Sequence, residues 1–178
     1  MAQTELRRRL AAILAADAAG YSRLMVGDDG ATVAALDAAR AVFRKQIESN
    51  QGRVADMAGD SVLAVFDTAA GAVAAAIAVQ VEVNATAAVT PEKRRMQFRI
   101  GVHLGDVIEK ADGTVYGDGV NIAARLEGLA DPGGIVASEW SMARCATTSR
   151  QVLRMVVSTS SRTSRGQCEP TQCVARTT

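Results

Sequence analysis

Residues 117–128, GDGVNIAARLEG, set Asn121 and Arg125 four positions apart in an otherwise small and apolar stretch. Four residues is about one helical turn, so a helix here would put an amide and a guanidinium on one face. That face is either an ordinary solvated one or a means of offering both groups to something anionic. Two carboxylates raise a related question. LAAILAAD (10–17) is a short apolar run ending in an acid, and it reads as a buried strand with Asp17 at its mouth. RVADMA (53–58) and SVLAVF (61–66) are strand-like runs separated by Gly59 and Asp60, which reads as a hairpin with Asp60 at its tip. If those strands are neighbours, the two carboxylates converge at one edge and repel, and a divalent cation relieves the repulsion. Hard oxygen ligands suit Mg²⁺ or Mn²⁺, with phosphate oxygens completing the shell. The turn Ala18, Ala19, Gly20 and Tyr21 could present backbone N–H groups to those phosphates at a helix start. The competing reading is that both Asp residues are turn formers, a common use of Asp.

The elements that must hold these residues follow from periodicity. Apolar positions at helical spacing (Val33, Leu36, Ala39, Val42, Phe43, Ile47) predict a helix over 29–48. Residues 68–89 are almost wholly small and apolar, which predicts a buried helix packed close to a sheet. QFRIGVHLGDVIE (97–109) alternates apolar and polar positions, a strand with a bend or bulge expected at Gly105. A helix over 118–130, with Asp118 as its N-cap, stops at ADPGG, and GGIVAS (133–138) begins another strand. His103 is the only histidine; mid-strand between two glycines, it reads as a hydrogen-bonded structural residue. The order βαββαβαβ predicts an α+β fold, one sheet with helices against it.

With 178 residues, the chain suits one domain with a substantial core. A formal net charge of +1 provides no basic field for nucleic acid. RRRLAAILAAD resembles the opening of a signal peptide, but Asp17 interrupts a short run and no cleavage site follows. No apolar stretch is expected to span a bilayer. Cys145, Cys168 and Cys173 form neither a disulfide framework nor a zinc pattern, so the expected compartment is the cytoplasm. The chain divides at about residue 141: residues 1–141 read as the folded domain. Residues 142–178 form a Ser/Thr/Arg-rich tail without Lys or Asp, expected to be poorly packed, with VLRMVV (152–157) its only apolar nucleus.

Taken together, ILAADAAGYSRL, MAGDSVLAVF, FRIGVHLGDV and VYGDGVNIAARLEGLADPGGI resemble, in order and over about residues 8–138, the catalytic domain of class III adenylate and guanylate cyclases. The resemblance implies a ferredoxin-like βαββαβ core acting as a head-to-tail homodimer with both active sites at the interface. Asp17 and Asp60 match the family's two metal-binding Asp residues, which would hold two Mg²⁺ or Mn²⁺ ions. Asn121 and Arg125 match its transition-state pair, supplied by the other subunit: Asn positions the ribose and Arg stabilises charge as pyrophosphate leaves. ATP or GTP would be cyclised by in-line attack of the ribose 3′-hydroxyl on the α-phosphorus.

The sequence departs from the family at three places. The base-reading position four residues before Asp60 is Asp56, where adenylate cyclases carry Lys and guanylate cyclases Glu. The second base-reading position is Thr114, which leans toward ATP. The family's sheet continues past residue 138 with further strands and a triphosphate-gripping Lys, but nothing in 142–178 resembles these, no Lys follows Lys110, and the tail reads as an unrelated or frame-shifted end. The rival reading is therefore a catalytically impaired dimerisation or nucleotide-binding module. A polymerase palm or diguanylate cyclase is disfavoured by the Asn121–Arg125 pair and by the absence of a GG[DE]EF-type turn.

Overall fold

The computed structural model describes residues 6–88, 90–139, 141, 155–158 and 172–175. The first strand, β1 (Leu6–Ala18), is buried from Ala11 through Ala16 on both faces. A strand that is apolar on both faces belongs at the centre of a covered sheet, and β1 lies between β3 (Ser61–Phe66) and β4 (Phe98–Lys110), antiparallel to both. Gly20, at φ +70°, turns the chain into α1 (Tyr21–Gly27). The Asp28 carboxylate then accepts from the Ala31 N–H and caps α2 (Asp29–Ser49). β2 (Gly52–Asp56) pairs with β3 as the expected hairpin. α3 (Ala69–Ala87), a 3-10 turn (Glu92–Arg94), β4, β5 (Val115–Tyr116), α4 (Asp118–Leu129) and β6 (Ile135–Ser138) follow.

The sheet runs β2-β3-β1-β4-β6, and the only parallel pair among the described strands is β4 with β6. Its first four strands, with α1–α2 and α3 as crossovers, make the expected βαββαβ arrangement. One face of β1 (Ala12, Leu14, Ala16) packs on α2 and α3 through Leu36, Phe43, Ile47, Ala76 and Val79. Phe43 meets Phe98 edge-on at 5.0 Å between ring centroids. The opposite face (Ala11, Ile13, Ala15) packs with Val107, Val115 and Ala123 of α4. Gln80 on α3 is buried, and its Nε2 donates to the carbonyls of Phe98 (2.8 Å) and Gly134 (3.0 Å), tying β4 to the start of β6.

Three expectations change. Gly105 is not a bulge: Leu10 through Ala12 pair in unbroken register with Asp106 through Leu104. The glycine is needed for space, because a Cβ there would lie 2.7 Å from His103 Nε2 and 3.4 Å from the Gly119 Cα of α4. The irregularity lies instead in β2, between Val54 and Asp56. Asp118 is the first residue of α4 rather than its cap; Gly117, at φ +127°, holds the cap position in a backbone conformation that suits glycine. By length and composition α3 would reach across a bilayer, contrary to the sequence expectation. Here Ala72, Ala75, Ala76 and Val79 are instead fully buried against the sheet and α2.

Two short strands continue the sheet. β8 (Gln172–Ala175) pairs antiparallel with β6, and β7 (Met155–Ser158) pairs antiparallel with β8. β7 overlaps the VLRMVV nucleus and joins the sheet through β8, so, contrary to the sequence expectation, the sheet does continue past residue 138. The rest of the 142–178 segment lies outside the described residues.

The packing of α4 on β4 depends on Gly101. A Cβ at that position would sit 2.2 Å from the Ala123 carbonyl and 2.4 Å from the Glu127 nitrogen, both backbone atoms. Gly101→Ala should therefore push α4 off the sheet and cost about 3 kcal/mol, measured as a lower urea midpoint. Gly128→Ala, where nothing lies within 4 Å, should leave the midpoint unchanged or raise it slightly.

Candidate active site

Asp17 ends the central strand, and its Cα partner across the ladder is Ser61 on β3. Asp60 precedes Ser61 in the tight turn of the hairpin, where the Ser61 N–H donates to the Ala58 carbonyl and Gly59 takes φ +56°. The Arg40 guanidinium of α2 donates to the Gly59 carbonyl and steadies that tip. The register thus places Asp17 beside the hairpin turn that carries Asp60, at one end of the sheet.

On the other side of Asp17 stands Arg99 of β4, its partner in the ladder. The guanidinium grips the Asp17 carboxylate with both arms, Nε to Oδ1 at 2.9 Å and Nη2 to Oδ2 at 2.5 Å. The same Nη2 is 3.7 Å from Glu127 Oε1, on the sheet-facing side of α4. The hydrogen bond to Asp17, with the nearby charges of Asp17, Glu127 and Asp60, raises the Arg99 pKa further. Arg99 is therefore the cation around which three carboxylates gather. Glu127 responds to the excess negative charge. Burial, its hydrogen bond with Asp17, and the charges of Asp17 and Asp60 push its carboxyl up to about 7, against the opposing pull of Arg99.

The sequence reading missed Arg99 and Glu127 as site residues. Arg99 looked like the polar half of an alternating strand, and only the β1–β4 register reveals that it faces Asp17. Glu127 sits in the same motif as Asn121 and Arg125 but on the inward side of the helix.

Asn121 and Arg125 lie together on the exposed side of α4, while Ala123 and Leu126 face inward. Within one chain they are not brought to Asp17 and Asp60. Asp56 is exposed at the end of β2, and its Oδ1 accepts from the Met57 N–H at 2.8 Å. Thr114 is half-buried in the β4–β5 turn, its N–H donating to Asp112 Oδ1 at 2.9 Å. Arg53 of β2 ties the two regions together by donating to the Gly113 carbonyl at 3.0 Å and to Glu109 Oε1 at 2.5 Å. In the turn after Asp17, Ala18 is still paired strand, opposite Phe98. Ala19 departs from the expected role, because its N–H already donates to the Gln97 carbonyl at 2.8 Å. The N–H groups of Tyr21 and Ser22, which follow the Gly20 turn, lack intrahelical acceptors, as at any helix start.

His103 keeps the structural role expected of it. Its Nδ1 lies 3.0 Å from Ser138 Oγ, which lies 3.1 Å from Ser141 Oγ, and burial lowers its pKa.

The donors at the strand ends are hard oxygens with surplus negative charge, a set that fits a divalent cation of the Mg²⁺ class. Among the described residues no three His, Cys, Asp or Glu side chains form a closed metal cage. Two carboxylates leave most of an octahedral shell for other oxygens, as at sites where Mg²⁺ meets phosphate.

The model of the adenylate and guanylate cyclase catalytic domain matches residues 7–166. The chain belongs to this family. That match extends beyond the motifs, through β7. Over 140 residues the cyclase domain is 48% identical to "Putative adenylate cyclase 3" of Rhizobium meliloti (strain 1021), covering 78% of this chain and 24% of that protein. The chain thus spans about a quarter of that relative's length. A solved adenylate/guanylate cyclase/hydrolase from Silicibacter pomeroyi is 33% identical, with a TM-score of 0.81 over 96% of this chain and 97% of that one. The adenylyl cyclase CyaB of P. aeruginosa shares the fold at 19% identity, with a TM-score of 0.79 over 96% and 95% of the two chains.

The raised Glu127 pKa has a definite sign. An acid that binds its proton more tightly when folded stabilises the fold below its unfolded value, near 4.5, and loses that contribution as pH rises through about 7. Glu127→Gln should remove this loss, so the variant gains on the order of 2 kcal/mol over wild type at pH 8. Urea midpoints recorded from pH 4.5 to 8 check this; parallel curves for the two proteins would contradict it.

Proposed function

We propose that this cyclase domain converts ATP or GTP to the 3′,5′-cyclic nucleotide and pyrophosphate, in the cytoplasm, as a homodimer. The observation that carries the reading is the Asp17–Ser61 register, which aligns Asp17 with Asp60 at one end of the sheet. The exposed Asn121–Arg125 face of α4 supplies what a single chain lacks.

Asp17 and Asp60 would hold two divalent ions, which when bound supply positive charge for the triphosphate and lower the pKa of the ribose 3′-hydroxyl. With such ions at Asp17, Arg99 would share that carboxylate and keep guanidinium donors available to the triphosphate, in a chain with no Lys after Lys110. The Gly20 turn and Tyr21 close the floor beneath the phosphates. Asn121 of the second subunit positions the ribose, and its Arg125 stabilises the charge that grows as pyrophosphate departs. Asp56 and Thr114 read the base: a carboxylate at 56 favours donors such as guanine's ring N–H and amino group, while Thr114 accommodates adenine. The second reading, a nucleotide-binding module without turnover, is favoured by the missing Lys.

Turnover with Mn²⁺ and either ATP or GTP, with product identified by mass, tests the activity. Asp17→Ala or Arg125→Ala should each reduce the rate by about 10²-fold or more. Mixing the two variants should restore about a quarter of wild-type activity, because half the random dimers then carry one intact site. Two inactive variants that do not complement would sink the shared-site geometry, and an inactive wild-type dimer would leave the non-catalytic module.

A further inference from the structure

One cavity among the described residues lies away from Asp17 and Asp60. It is a cleft of about 720 Å³ between α1, α2, the C-terminal end of α3 and the 3-10 turn, within the size range of small-molecule sites. Leu24, Ala39, Val42, Val83 and Met96 make its floor, so the interior offers a ligand hydrocarbon contact and few hydrogen bonds. Of its three threonine hydroxyls, those of Thr32 and Thr86 are already donated to the Asp28 and Glu82 carbonyls.

The rim has the opposite character. Arg23 of α1 and Lys93 and Arg94 of the 3-10 turn bring three positive charges to it, against one negative charge from Asp28. Asp28 is shared: it caps α2 and faces Arg94 across the mouth at 3.7 Å. No hydrogen bond or ion pair engages the Arg23 or Lys93 side chain among the described residues. An apolar slot with two uncommitted cations at its lip is complementary to one chemical class, a hydrocarbon chain ending in an anion.

We propose that this cleft binds an amphipathic carboxylate of the fatty-acid class, chain inward along the α2 alanines and carboxylate between Arg23 and Lys93. The site is independent of the cyclase reading and needs neither nucleotide nor metal.

Displacement of a dansyl-labelled undecanoate from the full chain, below the micelle concentration, tests it. Binding should saturate at one site per chain and tighten about threefold to fourfold for each methylene added between octanoate and dodecanoate. Arg23→Ser with Lys93→Ser should weaken dodecanoate about tenfold while leaving dodecanol unchanged. Ala35→Trp, at an exposed position on the cleft wall, should abolish binding with an unaltered circular dichroism spectrum. The proposal fails if the folded chain does not bind dodecanoate, if the alcohol binds as tightly as the acid, or if Ala35→Trp leaves binding intact. It also fails if Ala35→Trp converts a dimer to a monomer, which would assign the cleft to a second copy.

Discussion

Everything at the candidate site depends on where β1 sits. The strand is inserted between β3 and β4, and its register with each neighbour decides what surrounds Asp17. A slip of one residue on either side would turn Asp17 to the opposite face, among the apolar side chains of α2 and α3. The register is protected because both faces of β1 are buried, so any slip would also misplace two apolar sets at once. The hydrophobic core and the charged site are therefore specified by the same pairing.

Given that register, the charges at the strand ends must still be balanced. Two acids at one edge, with a third from α4, would repel without a cation. Arg99 provides one within the same ladder, and a proton retained on Glu127 provides part of another. The close approach at Gly101 allows this, because it brings the α4 backbone within reach of β4 and so sets Glu127 over Arg99. The same helix turns Asn121 and Arg125 outward. One element therefore serves the site of its own chain on one side and presents a second pair of groups on the other.

Much of this was legible in the residues. The helical stripe Leu36, Ala39, Phe43, Ile47 and the alternation of β4 specify their elements directly, because burial on one face imposes a period. The hairpin tip placed Asp60, and the apolar run before Asp17 placed the strand mouth. Three features were not legible. Arg99 and Glu127 act through contacts between residues far apart in the chain, which no local period records. Gly105 and Gly117 are glycines for different reasons, space in one case and backbone angle in the other, and composition alone does not separate them. The strand at 172–175 pairs with β6 and the strand at 155–158 pairs in turn with it, so a segment judged on its own composition shows little of them.

The central position of β1 also has a temporal meaning. β1 leaves the ribosome before both of its neighbours, and Arg99 and Glu109, the partners of its Asp17 and Arg9, lie 82 and 100 residues downstream of them. During synthesis a strand apolar on both faces must wait, unpaired, until β3 and then β4 are available. Its closure is a long-range step, the kind that makes folding slow and leaves sheet edges open to other chains. The arginines at positions 7–9, at the exposed beginning of β1, put like charges on the segment that waits longest, and repulsion between copies discourages pairing with the wrong partner.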